Sequence, residues 1–309
     1  MNKYLPYIVA VAFVYITTFV SCSESSELED TPRITMTTTF EGEMEIYLIG
    51  TGGTNINWGD GNSRTVVLTN PADLGLIYKY DYTHTYTSAN VKTITITGNN
   101  IIGLDTGCQE KVTILDISLC SSLKYLNCNY EQLTTLDLSK NLAMIVLKCI
   151  GNKLTTLDIS KNPAMEELMC HDNQLTALDL SNNTALVELG CQNNQLSLLD
   201  VSKNTMLKNL LCDGNQLEVL NVSGCTVIET LHCDDNLLSS LDISELAALC
   251  YLYCKNNKLN AIALNTLFND LPDRTGKSMG GIDVRNNPGV IEAEYNSAIA
   301  TAKNWSVID

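Results

Sequence analysis

Seven cysteines recur at a fixed spacing of 21 residues, so their positions raise the question of thiol chemistry. They are Cys128, Cys149, Cys170, Cys191, Cys212, Cys233 and Cys254. Such a column could bind a metal or exchange electrons. Metal sites usually use C-x-x-C pairs, which this sequence lacks, and disulfides between neighbouring members would distort a sheet. We therefore interpret these cysteines as small apolar side chains that fill a repeated core.

Aspartates form a second column, which is interrupted at Asn221. Its members are Asp116, Asp137, Asp158, Asp179, Asp200 and Asp242. Hard cations bind several converging oxygens, so a cation could bind along this column. A serine follows two residues after most members, and local hydrogen bonds to the backbone are the interpretation we favour. We expect no cofactor and no metal site.

The sequence offers no recognisable set of catalytic residues. Only three histidines are present, and no combination of nucleophile, histidine and acid emerges. The glycines within 50–53 precede no helix and so do not form a phosphate loop. Asp60, a single carboxylate in a glycine turn, is a weak calcium signal. We therefore predict a protein without enzymatic activity.

The composition is typical of folded domains and argues against a nucleic-acid partner. Of the 309 residues, 45% are apolar and 17% are charged, and the formal net charge is −16. Phosphate backbones repel a chain this acidic. The length exceeds that of one compact core, which predicts two domains or an elongated array.

Residues 1–21 have the pattern of an export signal, because a lysine near the start precedes an almost wholly apolar run. The run ends at Phe19-Val20-Ser21-Cys22, which resembles the lipobox of bacterial lipoproteins. This resemblance implies that Cys22 is acylated after cleavage and anchors the protein to a membrane. An ordinary signal peptide and an uncleaved anchor are the alternatives, since a run of about 17 residues is near the minimum for a membrane span.

Residues 22–32 are polar and acidic, and we expect them to form a flexible tether. An acidic stretch directly behind a lipidated cysteine resembles the export tag of surface lipoproteins of the Bacteroidetes. The resemblance implies an outer-membrane lipoprotein that is exposed at the cell surface. A plain soluble linker is the alternative.

Residues 33–98 are rich in Thr, Ile, Val and Tyr, and alternation such as that in 43–49 predicts strands. Three segments, 56–61 (INWGDG), 82–86 (YTHTY) and 91–96 (VKTITI), resemble the polycystic-kidney-disease (PKD) type of immunoglobulin-like domain. The resemblance implies a β-sandwich in which Trp58 packs in the core. Asp60 and the neighbouring glycines would form a turn.

Each regularly spaced cysteine belongs to a longer repeat. A leucine lies two residues before it, and an asparagine lies three residues after it, with Glu131 as the exception. This 21-residue unit predicts a solenoid over residues 99–260, in which each turn adds one strand to a parallel sheet. Leucine and cysteine, two residues apart, point to the same side of the strand, and the asparagines should stack and bond the backbone. The unit resembles leucine-rich repeats.

The second half of each unit reads L-x-x-L-D-(L/I/V)-S-x-N, with Cys120 and Cys225 in place of its asparagine. Alternating halves of 10 and 11 residues resemble a short nested class of bacterial leucine-rich repeats. Residues 261–309 break the period and predict a small α/β cap over the last turn. The predicted fold is thus mainly β, with an immunoglobulin/PKD-like sandwich, a parallel-sheet solenoid and a C-terminal cap.

The outward positions beside the cysteine strand vary among repeats, whereas the Asp-Ser half is nearly constant. A constant column serves the repeat, and a varied column is free to serve a ligand. The predicted ligand-binding residues are Tyr125, Asn127, Lys148, Glu167, Met169, His171, Glu188, Gln192, Asn209, Leu211, Asp213, Thr230, His232, Asp234, Tyr251, Tyr253 and Lys255. Aromatic and apolar groups among them suit contact with a protein or a glycan.

Together these patterns predict a non-catalytic cell-surface lipoprotein that binds a protein or glycan ligand through the varied face. The alternative is a structural or spacer lipoprotein of the cell envelope without a specific ligand. We expect contact with a membrane through the N-terminal lipid anchor alone, and no contact with nucleic acid.

Overall fold

The computed structural model describes residues 31–70, 81–107 and 111–309. The predicted export signal, Cys22 and most of the acidic tether lie outside the described residues, as does Cys108. Among the described residues, no helix is long and apolar enough to cross a membrane. The described chain is mainly β, and most of its strands belong to one sheet.

Six antiparallel strands form the N-terminal part. They are β1 (Arg33–Thr38), β2 (Gly42–Asn57), β3 (Ser63–Asn70), β4 (Asp81–Tyr86), β5 (Lys92–Asp105) and β6 (Val112–Asp116). Hydrogen bonds give the order β6-β1-β5-β2, with β3 and β4 both paired to β2. Side chains alternate between the core and more open positions along β1, as a sheet covered on one face requires. The pairing assigns all six strands to one sheet, and the PKD-like sandwich stays a prediction.

Two of the three PKD-like segments, 56–61 and 82–86, pack against each other. Trp58 is buried, and its ring stacks on that of His84 with centroids 5.0 Å apart. His84 Nε2 lies 2.7 Å from Asp60 Oδ2, and Asp60 Oδ1 accepts a hydrogen bond from the Asn62 backbone N–H at 3.0 Å. Tyr86 Oη donates to the Trp58 carbonyl at 2.7 Å. These contacts tie the glycine turn to strand β4.

Beyond β6, most turns of 21 residues add one short strand to a parallel sheet, which confirms the predicted solenoid. In chain order the strands are β7 (Tyr125–Asn127), β8 (Val146–Lys148), β9 (Glu167–Met169), β10 (Glu188–Gly190), β11 (Leu198–Asp200), β12 (Asn209–Leu211), β13 (Val219–Asn221), β14 (Thr230–His232) and β15 (Tyr251–Tyr253). Strands β11 and β13 pair with each other on the other side of the turns. The remaining strands pair in register through their central leucines.

The solenoid sheet grows directly out of the N-terminal part. Strand β5 pairs with β1 and β2, and its end, from Gly103 to Asp105, pairs in parallel with β7. The predicted boundary between residues 98 and 99 therefore falls inside a strand. Buried Glu131, at the ladder position of the first turn, accepts hydrogen bonds from Thr106 Oγ1 at 2.6 Å and from the Val112 backbone at 2.8 Å. This carboxylate thus bonds both the residue after β5 and the first residue of β6.

The column of cysteines lies in the core, as predicted, with all seven side chains buried beside the leucines. Burial raises the pKa of the Cys170 thiol to about 12, because a thiolate would be desolvated there. The asparagine ladder is also confirmed. Asn173 Nδ2 donates to the carbonyls of Cys149 and Cys170 at 2.9 and 3.1 Å, and its Oδ1 accepts from the Leu154 N–H at 3.0 Å. One side chain thus joins successive turns.

The aspartate column makes the local hydrogen bonds that the sequence indicated. Asp137 Oδ1 accepts from the Ser139 N–H at 2.8 Å, and the other aspartates of the column repeat this contact. The backbone hydrogen bond lowers the pKa of Asp137 and of Asp158. In the ranges that the structure describes, no three His, Cys, Asp or Glu side chains are placed to hold a metal ion.

Short helices and two further strands close the C-terminal end. The elements are α1 (Ala261–Asp270), β16 (Gly280–Asp283), a 3₁₀ turn (Pro288–Ile291), α2 (Ala298–Thr301) and β17 (Trp305–Ile308). Asn260 caps α1, because its side chain accepts from the Ala263 N–H at 2.9 Å. Strands β16 and β17 continue the parallel sheet beyond β15.

Candidate ligand-binding face

The sheet face is the outward side of the parallel strands from β7 to β15, and it carries the whole predicted ligand-binding set. Leucine and cysteine point inward on each strand, so the residues before, between and after them point outward. In-register pairing arranges these residues in three columns. The first is Tyr125, Val146, Glu167, Glu188, Asn209, Thr230 and Tyr251; the second is Asn127, Lys148, Met169, Gly190, Leu211, His232 and Tyr253; the third is Asn129, Ile150, His171, Gln192, Asp213, Asp234 and Lys255.

Three of the predicted residues are buried rather than open. Tyr125 is 1% exposed, Asn127 is 5% exposed and Asp234 is 7% exposed. Tyr125 pairs with Gly103 of β5, and Asn127 Nδ2 donates to Asp105 Oδ2 at 2.8 Å. The expectation of open positions on β7 was therefore wrong, because the end of β5 adjoins this strand.

The part of the face on β8 to β12 carries polar contacts between neighbouring strands. Lys148 Nζ lies 2.7 Å from Glu167 Oε1, and Asn209 Nδ2 donates to Glu188 Oε1 at 3.2 Å. Such partly exposed contacts contribute little to stability. They pair these two carboxylates with donors from the protein itself.

Gly190 has no side chain, and three neighbouring side chains fill the space above it in the middle of the face. A Cβ atom at Gly190 would lie 2.7 Å from Met169 Sδ, 3.1 Å from Gln192 Oε1 and 3.6 Å from His171 Nδ1. In the part of the chain that the structure describes, His171 Nδ1 and Gln192 Oε1 are buried without a hydrogen-bond partner. Burial also lowers the pKa of His171, which favours its neutral form. The sequence marked these positions as varied, but it could not show that they converge.

The aromatic patch, defined as His232, Tyr251 and Tyr253, lies on β14 and β15. The rings of His232 and Tyr253 stack with centroids 4.1 Å apart and planes at 28°. Tyr251 is 48% exposed and leans over Gly281 of β16, where a Cβ atom would come within 3.3 Å of its ring. Burial lowers the pKa of His232, although Asp213 opposes the shift. The imidazole is therefore largely neutral near pH 7 and contributes aromatic surface.

Asp213 and Asp234 are adjacent carboxylates in the third column. Burial raises the pKa of Asp213, and it raises the pKa of Asp234 to about 6. Asp234 Oδ1 accepts a hydrogen bond from the Lys255 backbone N–H at 3.0 Å. Neither carboxylate takes part in an ion pair within the described residues.

The sheet face continues one strand beyond the predicted ligand-binding set. Strand β16 places Asp283 beside Tyr253, and Arg285 Nη2 donates to Asp283 Oδ2 at 2.6 Å. Burial opposes ionisation of Asp283, but the hydrogen bonds from Arg285 prevail and lower its pKa. The spacing of Ile282 and Val284, which repeats that of leucine and cysteine, was the signal that could have added Asp283 to the predicted face. The extended face combines aromatic, carboxylate and amide groups, which suit non-covalent recognition.

No family model and no curated protein matches the chain, whereas solved structures do. The functional domain of InlJ from Listeria monocytogenes, described as including a cysteine ladder, is 26% identical, with a TM-score of 0.45 over 63% of this chain and 52% of that chain. YopM, a leucine-rich effector protein from Yersinia pestis, is 23% identical, with a TM-score of 0.46 over 54% of this chain and 44% of that chain. The leucine-rich repeat domain of APL1B is 18% identical, with a TM-score of 0.48 over 55% of this chain and 50% of that chain.

The chain thus spans about half the length of each of these chains. Its own 21-residue repeat and its stacked, leucine-lined turns carry the assignment to the leucine-rich-repeat architecture.

Proposed function

We propose that this protein is a non-catalytic binding protein of the cell surface and that its sheet face holds a protein ligand. The observation that carries the proposal is the aromatic patch, in which stacked His232 and Tyr253 lie on the same face as exposed Tyr251. Tyrosine is enriched among the residues that dominate binding energy at protein interfaces. It also offers a large contact area at low entropic cost.

The other side of the turns provides a contrast that supports this choice of face. There, aspartate and serine repeat the same hydrogen bond from turn to turn, so that side serves the fold. Leu198 and Val219 are exposed there, at 55% and 54%, and they pair across β11 and β13. These two apolar residues supply a matched control for the aromatic patch.

The full chain, purified in detergent, is used to select binders from a phage-displayed library of random peptides and from a glycan array. Enriched binders are then measured against the wild type, the variant Y251A/Y253A and the control variant L198A/V219A. We expect enriched peptides to lose affinity for the tyrosine variant and to keep it for the control. Peptides that bind all three proteins equally would contradict the proposal.

Two other results of the same selection would replace the proposal. Enrichment of glycans alone, with loss on Y251A/Y253A, would make the ligand a glycan that stacks on the same rings. No enrichment in either library would favour the spacer role.

The proposal includes attachment to the outer face of the cell through acylated Cys22. We expect protease added to intact cells to digest the wild-type protein, because the described chain would face the medium. We also expect the variant C22A to take up no labelled fatty acid, because it lacks the acylated thiol. Protection of the wild-type protein, or equal labelling of C22A, would contradict this part of the proposal.

A further inference from the structure

Two carboxylates of the sheet face lack the basic partner that others on the same face have. Glu167 pairs with Lys148 at 2.7 Å, and Asp283 pairs with an arginine on its own segment. Asp213 and Asp234 lie between these pairs and form no ion pair within the described ranges. Glu188 also forms no ion pair there, but it accepts a hydrogen bond from Asn209, whereas Asp213 and Asp234 are neighbours that combine their negative charge.

Asp213 and Asp234 occupy equivalent positions, two residues after the ends of neighbouring strands β12 and β14. Strands pair about 4.8 Å apart, so one positively charged group can reach both carboxylates. His232 precedes Asp234 by two residues, so its side chain points to the same outward side, and its ring stacks on Tyr253 at 4.1 Å. Two carboxylates and a stacked pair of rings therefore adjoin one another.

The opposite flank of the carboxylates supplies further hydrogen-bonding groups. Gln192 precedes Asp213 in the third column, and His171 precedes Gln192. Gln192 Oε1 and His171 Nδ1 have no hydrogen-bond partner in the described chain. Buried polar atoms of this kind are usually satisfied, so a ligand that draws them outward and donates to them would remove an unfavourable contact.

We propose that the acidic–aromatic site, formed by Asp213, Asp234, His232 and Tyr253, receives a lysine or arginine side chain of the protein ligand. Carboxylates accept strong, charge-assisted hydrogen bonds from ammonium and guanidinium groups. Aromatic rings attract the same cations through their faces. The formal charge of −16 favours the approach of a basic segment over longer distances. This inference rests on the proposed function and specifies the chemistry of its ligand.

Lys255 limits where the cation can sit. It follows Asp234 in the third column, and its backbone N–H bonds to Asp234 Oδ1, but its ammonium forms no ion pair in the described chain. A ligand cation is therefore expected nearer to Asp213, away from Lys255. Removing the charge of Lys255 should therefore strengthen the binding of a basic ligand. This effect is not expected if the two aspartates have only a structural role.

The stability of the fold alone does not explain an aspartate at position 234. It is 7% exposed and lacks a basic partner within the described residues, although a buried carboxylate is costly unless it is paired. Asparagine would have a similar shape without the charge. A counter-charge supplied by a ligand explains why an ionisable group can occupy this position.

The test measures selected peptides by fluorescence anisotropy against the full chain. Each peptide is compared with a version in which citrulline, which is uncharged, replaces lysine and arginine. We expect D213N/D234N to weaken the basic peptide at least about tenfold and to leave the citrulline peptide unchanged. The control E218Q, which removes an exposed charge directly before β13 on the other side of the turns, should bind like the wild type. K255M should bind the basic peptide at least about threefold more tightly.

Different results would contradict the cation site and the sheet face as the binding surface. This inference would be overturned if the selected peptides carry no excess of lysine or arginine, or if they bind D213N/D234N as tightly as the wild type. In either case, a loss of affinity for Y251A/Y253A would still support the sheet face as the binding surface. Selected peptides that bind Y251A/Y253A as tightly as the wild type would overturn both proposals. The single variant D234N, whose thermal unfolding is recorded beside its binding, replaces the double variant if the latter does not fold.

Discussion

At the scale of single residues, Asp234 is where burial and charge conflict most clearly. Burial raises its pKa to about 6, Asp283 and Asp213 add to the shift, and Lys255 opposes it. The folded state therefore binds a proton that the unfolded state releases between about pH 3.8 and pH 6. The stabilisation from this proton is complete below the lower value and is lost as the pH rises through the upper one.

We predict that D234N is more stable than the wild type above about pH 6, because the variant has no charge to bury. A shift of this size corresponds to at most about 3 kcal/mol. The measurement is the melting temperature of both proteins from pH 3.5 to pH 8, and their difference should shrink as the pH falls. A constant difference over that range would contradict the role assigned to this carboxylate.

At the scale of elements, no strand of the solenoid is stable by itself. Each is three residues long, and its leucine is buried by the turns on either side. The asparagine ladder fixes the corner after each strand, because one amide bonds the backbone of its own turn and of the preceding turn. Stability in this part of the molecule therefore depends on contacts between turns.

We predict that N173A lowers the free energy of unfolding by about 1–3 kcal/mol, since the Leu154 N–H loses its partner. The Cys149 carbonyl loses one of its two donors and keeps Asn152 Nδ2. The control is Q174A, which removes the exposed amide of the next residue. Thermal or urea unfolding followed by circular dichroism compares the two variants. Equal stability would show that the ladder does not hold the turns together.

The sequence predicted the elements that the repeat itself determines. The leucine, cysteine and asparagine columns could be found because each position meets the same neighbours in every turn. Tyr125 and Asn127 were misjudged because their surroundings come from β5, which has no counterpart in the repeat. Asp283 was missed because α1 interrupts the period before β16. The convergence of His171 and Gln192 on Gly190 depends on side-chain packing that no spacing encodes.

At the scale of the whole molecule, one sheet runs from β6 through β5 and the solenoid to β17. The N-terminal part and the solenoid share strand β5, so the sheet face is anchored to the antiparallel strands at one end and to the cap at the other. The repeats tolerate variation on this face because the core needs only the inward residues. This separation lets a ligand site be built without altering the fold.

The dissociation constant of a selected peptide for the wild type and for Y251A/Y253A, measured by calorimetry, tests the central claim most directly. If the sheet face binds a protein ligand, the variant loses more than about 1 kcal/mol of binding free energy, or about fivefold in affinity. Its melting temperature should stay at the wild-type value, because Tyr251 is about half exposed and neither tyrosine lies in the core. Unchanged affinity, or a loss that L198A/V219A reproduces, would contradict the claim.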